Sequence, residues 1–275
     1  SMGYKETYNR WLTSDVVDDD TKAELKSIEN NEKEIEERFY RELEFGTAGM
    51  RGIIGAGTNR INIYNVRRAS QGVAKYVLSN GEDAAKAGVL IGYDTRNFSR
   101  TFAEETAKVL TCAGVKTYLF PIVHSVPEVS FGIRELGCSA GVMITASHNP
   151  KEYNGYKAYW DDGAQVLAPH DTAIIDEVNK VTVEDIKFKG NKDLIQIIGE
   201  DIDKVYLDKV HALSIDPEVI KRQKDLSIVY TPLHGAGRVL IPASLKEWGF
   251  ENVHCVPEQM VKSGDFPTVV SPNPE

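Results

Sequence analysis

The sequence lacks the patterns that are typical of membrane proteins, disulfide-rich proteins and zinc-binding proteins. None of its hydrophobic runs approaches the ~18 residues that a membrane-crossing helix needs, so we expect no membrane partner. Its three cysteines are Cys112, Cys138 and Cys255, and none belongs to a Cys-x-x-Cys pair. This scattered arrangement fits reduced thiols in the cytoplasm better than a disulfide framework or a zinc site.

An excess of positive charge is also missing. The 275 residues carry a formal net charge of −9, which argues against a nucleic-acid partner. Residues 15–44 hold twelve acidic side chains against five basic ones, so the rest of the chain is close to neutral. Because the acidic excess is confined to this leading segment, an anionic substrate is still possible. We interpret the segment itself as a solvated helical face.

Several common catalytic signatures are absent. The sequence has no His-Glu-x-x-His, and the neighbours of Ser147 do not form Gly-x-Ser-x-Gly. The glycine-rich stretch 45–60 lacks the spacing of a Walker A loop or a dinucleotide fingerprint, so we interpret it as a loop. These absences count against a serine hydrolase and a zinc protease.

Apolar runs and helical patterns alternate along most of the chain. Predicted strands are Gly88–Tyr93, Val115–Phe120, Ala140–Ala146 and Asn154–Trp160. Predicted helices cover 21–44, 63–80, 98–113, 126–136 and 169–181. This alternation predicts an α/β fold with a mixed, mainly parallel sheet and flanking helices. A second, incomplete α/β unit is predicted from about residue 200, with helices at 201–213 and 238–248 and strands at 226–231 and 252–256.

Polar side chains follow the predicted strands, where open parallel sheets bind ligands. The strand ends are 93–96, 145–150 and 231–237. Ser147 is a candidate nucleophile, although a serine hydroxyl needs a base or a metal to activate it. His148 is adjacent, and Asn149-Pro150 could direct backbone amides at an anion.

Two cations complete this candidate site. Lys157 is a point charge suited to phosphate, and the Arg51 guanidinium fits phosphate oxygens bidentately. From the residues alone, ordinary alternatives stay open: a simple turn at Ser147, a solvated histidine, a connecting glycine loop, and an Asp94–Arg96 pair with no further role.

Four motifs carry a family resemblance. They are TASHNP at 145–150 followed by NGYK at 154–157, FGTAGMRG at 45–52, GYDTR at 92–96 and YTPLHGAG at 230–237. Together they resemble the α-D-phosphohexomutases, which include phosphoglucomutases and phosphomannomutases. The acidic leader and the ELEF stretch at 42–45 resemble the longer phosphoglucomutase subgroup, which also includes phosphopentomutases.

The resemblance implies a phosphoserine mechanism. Ser147 would pass a phosphoryl group to a hexose monophosphate and take the other phosphate back from the bisphosphate. Arg51 and Lys157 would lie in the transfer site, with His148 as a proton handler. Substrate or phosphate binding is implied for Thr47, Asp94, Arg96 and Asn149 as well as for Arg51 and Lys157. Mg²⁺ would touch Ser147 through its phosphate, with the aspartate ligands lying beyond residue 275.

We therefore expect a cytoplasmic phosphoglucomutase, with glucose 1,6-bisphosphate as activator and hexose phosphates as substrates. The predicted organisation is an acidic helical leader at 1–44 packed on domain 1, domain 1 at 45–195, and an incomplete domain 2 at 200–275. The chain alone should be inactive without the remaining domains. Alternatives are a phosphomannomutase, a phosphopentomutase, a serine-dependent phosphatase or a non-catalytic sugar-phosphate-binding module.

Overall fold

The computed structural model describes residues 3–120, 125–146 and 149–198, together with Phe250. The predicted nucleophile Ser147 and its neighbour His148 lie outside the described residues. The same holds for the helices and strands predicted between 201 and 256.

A six-stranded sheet forms the centre of the described part. Its strands are β1 (Met50–Ile53), β2 (Val89–Tyr93), β3 (Thr117–Leu119), β4 (Ala140–Ile144), β5 (Tyr153–Trp160) and β6 (Ile195–Ile197), in the order β1-β5-β4-β2-β3-β6. Strand β2 is parallel to β3 and β4, and β3 is parallel to β6. Strand β5 is antiparallel to both β1 and β4. The predicted mixed, mainly parallel α/β sheet is confirmed.

The helices are α1 (Tyr4–Thr13), α2 (Asp19–Ser27), α3 (Glu32–Phe39), α4 (Ile63–Ser79), α5 (Glu82–Ala87), α6 (Ser99–Cys112), α7 (Val126–Leu136) and α8 (His170–Asn179). Four of these helices, α2, α3, α4 and α7, begin at a side-chain cap. Asn62 precedes α4 and Ser125 precedes α7, and each side chain accepts a hydrogen bond from a backbone amide of the first turn. The helices predicted at 63–80, 98–113 and 126–136 agree with the structure to within a residue at each end.

Hydrophobic residues are buried on both faces of the sheet. In β2, Ile91 belongs to the large cluster that also contains Leu110 of α6, whereas Leu90 belongs to a smaller cluster with Val129 of α7. Since both faces are covered, the strands read as continuous apolar runs, which is why the sequence reveals them.

The amino-terminal segment differs from the prediction. In place of one helix over 21–44 there are two, α2 and α3, because Asp18 and Asn31 each cap the start of a helix and so divide the segment. Helix α1 precedes them in the leader. These helices share a hydrophobic cluster in which Trp11 and Phe39 contact each other edge to face, and Trp11 also contacts Tyr64 of α4. The leader is therefore packed against α4.

The structure contains three further elements that the sequence patterns do not predict. Strand β1 lies inside the stretch 45–60 that is predicted to be a loop, because a four-residue strand with glycines in and beside it has almost no strand pattern of its own. Helix α5 has six residues and β6 has three, so both are too short for a reliable period.

Two cysteines lie within the described residues, and both are buried. Cys138 is a free thiol whose pKa burial raises to about 12. Cys112 takes part in a disulfide bond, so the prediction of reduced thiols is wrong at this residue. In the part of the chain that the structure describes, no helix has the length and apolar character needed to span a membrane.

Candidate active site

The carboxyl ends of three strands meet at one edge of the sheet. The register pairs Tyr93 of β2 with Ile144 of β4, Ile144 with Tyr156 of β5, and Ile53 of β1 with Tyr153. Strands β1, β2 and β4 run in one direction, and β5 begins at the edge where they end. The segments after β2 and β4 are therefore neighbours, as the sequence predicts.

Arg51 connects the first strand to the segment after β4. Its Nη1 donates a 2.9 Å hydrogen bond to Oδ1 of Asn149, which is 98 residues away in the chain. Asn149 is half-buried, and its backbone N–H donates to the carbonyl of Ala146 over 3.1 Å. The structure thus brings Arg51 to the segment that carries Ser147.

Lys157 lies on the same face of the sheet as Arg51. Arg51 is paired with Gly155, and Lys157 follows Gly155 by two residues along β5, so both side chains leave the same face. Tyr156, which lies between Gly155 and Lys157 along β5, points into the main core on the other face. Arg51 is exposed and Lys157 half-buried, which leaves this pair of cations accessible to an anion.

Glycines allow the strands around Lys157 to approach closely. A Cβ on Gly155 would lie 2.6 Å from the carbonyl oxygen of Thr145 and 3.0 Å from that of Met50. Real Cβ atoms do not tolerate such contacts with backbone, so only glycine fits between β4 and β1 at this position.

Thr47 lies at the tip of a tight turn before β1. Gly46 and Gly49 exchange two backbone hydrogen bonds of 2.9 Å around it. The Thr47 side chain is exposed, and its carbonyl accepts a 3.3 Å hydrogen bond from Nε2 of Gln165. Its predicted phosphate contact stays a prediction.

Asp94 and Arg96 are close together, but most of their contacts are to other groups. The Arg96 Nε lies 3.8 Å from Oδ2 of Asp94. Arg96 also donates to the backbone carbonyls of Asn149, Pro150 and Tyr153. The phosphate-binding role implied for both residues is not tested by these contacts.

Two further residues at this edge are not among the candidates predicted from the sequence. Ser99, at the start of α6, and Asn154, at the start of β5, are fully buried and hydrogen-bonded to each other. Asn154 belongs to the NGYK motif, which could have indicated it. Ser99 has no local signal beyond its place at a helix start.

A buried tyrosine at the end of β2 and a half-buried glutamate on α6 have shifted pKa values. Burial raises the pKa of Tyr93 to about 12 and the pKa of Glu104 to about 7. Arg100 opposes the shift at Glu104, since its Nε lies 3.1 Å from the Glu104 Oε1.

The described residues do not supply a Mg²⁺ site. Among them there is no group of three or more His, Cys, Asp or Glu side chains placed to hold a metal. Asp94, the carboxylate of the GYDTR motif, already accepts hydrogen bonds at Oδ1 from the Arg96 N–H and the Ser99 hydroxyl. The residues in these parts of the chain therefore do not fit the metal that the family resemblance implies.

Comparison with known proteins identifies the family. The family model described as "Phosphoglucomutase/phosphomannomutase, alpha/beta/alpha domain I" matches residues 42–185, and that of domain II matches residues 204–275. The chain belongs to the phosphoglucomutase/phosphomannomutase family. The prediction of a phosphohexomutase relationship is thereby confirmed.

Individual relatives of this family member carry different names. A "Probable phosphoribomutase" of Schizosaccharomyces pombe is 37% identical over 278 residues, covering 98% of this chain and 47% of the relative. A "Phosphoglucomutase" of Staphylococcus haemolyticus is 39% identical over 245 residues, covering 87% of this chain and 43% of the relative. The chain thus spans a little under half the length of these relatives.

A solved structure agrees with the fold. The crystal structure of a Thermus thermophilus protein, assigned as a phosphomannomutase, superposes with a TM-score of 0.52 at 26% identity. The match covers 62% of this chain and 36% of that one.

Proposed function

We propose that this chain is the amino-terminal part of a phosphoglucomutase that interconverts glucose 1-phosphate and glucose 6-phosphate through a phosphorylated Ser147. The observation that carries the proposal is the placement of Arg51 and Lys157 on one face, with Arg51 bonded to Asn149. Two cations on one face of the sheet, one of them bonded to Asn149, suit the charge of a transferring phosphoryl group.

In the proposed reaction, the phosphoryl group leaves the Ser147 oxygen and bonds to the free hydroxyl of a hexose monophosphate. The P–O bond to serine breaks as the P–O bond to the sugar forms, and the hydroxyl proton passes by way of His148 to the serine oxygen. The resulting bisphosphate turns in the site. Its other phosphoryl group then bonds to the Ser147 oxygen as its P–O bond to the sugar breaks, and the serine proton passes by way of His148 to the freed sugar oxygen. The net result is exchange between the 1- and 6-phosphates.

The cations have separate tasks in this scheme. The Arg51 guanidinium offers paired donors to two phosphate oxygens, whereas the Lys157 ammonium acts as a point charge. Thr47 and Asn149 are proposed to contribute further polar contacts. These groups stabilise the charge spread over the transferring phosphoryl oxygens, which is most of what a protein can contribute to such a transition state.

The remaining requirements belong to the whole protein. We propose a cytoplasmic enzyme that depends on Mg²⁺, is activated by glucose 1,6-bisphosphate, and needs further domains to grip the sugar and its distal phosphate. When bound, the metal would neutralise phosphate charge. The described residues lack a ligand set for it, so the metal would need carboxylates from elsewhere.

A pentose phosphate is the second candidate substrate. The relative named as a phosphoribomutase is 37% identical over 98% of this chain, close to the 39% of the phosphoglucomutase. The sugar is therefore to be decided by comparing the glucose and ribose phosphates as substrates.

The decisive experiment is peptide mass spectrometry after incubating the full-length protein and the 275-residue chain with glucose 1,6-bisphosphate. We expect a phosphoryl group on Ser147 that disappears in Ser147→Ala. Labelling of the full-length protein alone would show that the other domains are needed to load the site. If neither is labelled while free phosphate is released, a phosphatase replaces the mutase; no labelling and no release would favour a binding module.

A further inference from the structure

The guanidinium of Arg96 is directed at the backbone between β4 and β5. Its Nη2 donates to the carbonyl of Asn149 over 2.6 Å, and its Nη1 donates to the carbonyls of Pro150 and Tyr153 over 2.8 Å and 3.2 Å. The carbonyls of Asn149 and Pro150 lie outside regular structure and that of Tyr153 begins β5, so a side-chain donor can satisfy them where the sheet does not. Both Nη1 hydrogens are used by these carbonyls, which leaves them unavailable to a phosphate.

A second set of contacts holds the backbone from which Arg96 projects. Oδ1 of Asp94 accepts a 2.9 Å hydrogen bond from the Arg96 N–H and a 2.7 Å hydrogen bond from the Ser99 hydroxyl. The Ser99 oxygen in turn accepts a 2.9 Å hydrogen bond from Nδ2 of Asn154. We call these four residues the Asp94–Arg96–Ser99–Asn154 network.

Asn154 extends the network into the sheet. Its Nδ2 also donates to the carbonyl of Asn97 over 3.0 Å, and its Oδ1 accepts from the Gly155 N–H over 2.8 Å. Ser99 and Asn154 are both 0% exposed. This buried half of the network is rigid, because any displacement of Ser99 or Asn154 would leave a buried polar group without a partner. Asp94 and Arg96 are half-buried.

The network joins three elements to the candidate catalytic segment. Asp94 follows β2, Ser99 begins α6 and Asn154 is the second residue of β5, whereas Arg96 reaches the backbone at 149–153. That backbone includes Asn149, whose side chain accepts the hydrogen bond from Arg51. The position of the segment relative to Arg51 therefore depends on Arg96.

We infer that Arg96 is a positioning residue for the phosphoserine segment, and that Asp94, Ser99 and Asn154 hold Arg96 in place. This inference rests on the proposed function and replaces the phosphate-binding role predicted for Asp94 and Arg96. The inference has a specific chemical consequence. Two separate nitrogens of the planar guanidinium contact the three carbonyls, and the single nitrogen of a lysine ammonium cannot reproduce that arrangement.

The test compares Arg96→Lys, Arg96→Ala and Ser99→Ala in the full-length protein, with glucose 1,6-bisphosphate as the phosphoryl donor. Misplacement of the segment by about 1 Å should lower kcat ~100-fold, with KM within about threefold of wild type. Arg96→Lys should fall nearly as far as Arg96→Ala. If Arg96 instead bound a substrate phosphate, Arg96→Ala would raise KM strongly, and Arg96→Lys would restore part of the lost affinity.

Arg134→Lys is the matched control. Arg134 also donates to a backbone carbonyl, that of Asp162, but it lies on α7 and is exposed. We expect this variant to keep wild-type kcat and KM. Equal losses in Arg134→Lys and Arg96→Lys would overturn the inference, because the effect would then be a general cost of replacing an arginine.

A second measurement does not depend on phosphoryl transfer. Hydrogen exchange of the Asn149 and Tyr153 amides, which donate to the carbonyls of Ala146 and Pro150, should accelerate at least about tenfold in Arg96→Lys and Ser99→Ala, whereas amides of β2 and β4 should keep their protection. Unchanged exchange of these two amides overturns the inference even if Ser147 is phosphorylated. Faster exchange in a protein that never labels Ser147 supports the positioning role and refutes the proposed function instead.

Discussion

The tight turn before β1 allows a sharp test of how the site is assembled. Gly49 has a φ of +87°, and a Cβ at this residue would lie 2.2 Å from the carbonyl oxygen of Tyr156 and 3.1 Å from the Cα of Lys157. Both atoms belong to the backbone of β5, so no rotamer change can relieve the contact. Gly49→Ala must therefore move β1 away from β5 or reshape the turn.

The cost can be worked out from two separate terms. An L-residue in the left-handed region loses about 1–2 kcal/mol, and overpacking against fixed atoms adds about 1–3 kcal/mol. We expect Gly49→Ala to lower the free energy of unfolding by about 2–5 kcal/mol. Since Arg51 follows two residues later on β1, we also expect its contact with Asn149 to be disturbed.

Gly46→Ala is the matched control in the same turn. A Cβ on Gly46 would meet no heavy atom within 4 Å, and its φ is not positive. This variant should stay within about 0.5 kcal/mol of wild type. Urea unfolding followed by circular dichroism measures both variants. Similar stabilities for Gly49→Ala and Gly46→Ala would refute the packing of the turn against β5.

Three further predictions concern stability, each measured by urea unfolding. Burial raises the pKa of Glu104 from 4.5 to about 7, so the folded state holds this proton more tightly than the unfolded state and stability falls as pH rises between these values. The free energy of unfolding of Glu104→Gln, relative to wild type, should therefore increase by about 1–2 kcal/mol between about pH 5 and pH 8; a difference that does not depend on pH would contradict this. Arg38→Ala should lower the free energy of unfolding by about 2–3 kcal/mol, because Nη1 lies 2.6 Å from Oε2 of Glu24 and Nε lies 2.9 Å from Oε1 of Glu34; Lys5→Ala, which removes an exposed cation, should cost clearly less, and equal losses would refute the distinction. Trp11→Ala should lower the free energy of unfolding by about 3–5 kcal/mol, because Trp11 is 2% exposed. A smaller loss would show that the leader contributes little to the stability of the fold.

Much of the domain fold could be predicted because its signals are local. The apolar run of β2, the capping residues Asn62 and Ser125, and the alternation of strands with helices each depend on neighbours in sequence. Strand β1 could not be predicted, because its four residues become a strand only by pairing with β5, which lies about a hundred residues later.

The division of the leader into three helices escapes sequence-based prediction for a different reason. The caps Asp18 and Asn31 are visible in the sequence, but acidic residues on both sides of them make a continuous solvated helix equally plausible. The separate, capped helices are favoured because they bury Trp11 against Phe39 and Tyr64. That contact is decided by packing across the chain.

The same distinction between local signals and packing across the chain applies to the candidate site. By itself, the sequence determined the family and the kinds of residue near Ser147, because motifs are contiguous and continuous apolar runs show where the strands end. Only the tertiary structure decided that Arg51 contacts Asn149 and that Arg96 donates to backbone carbonyls. A guanidinium can bind a phosphate, a carboxylate or a carbonyl, so its role depends on which acceptors the folded backbone brings within reach.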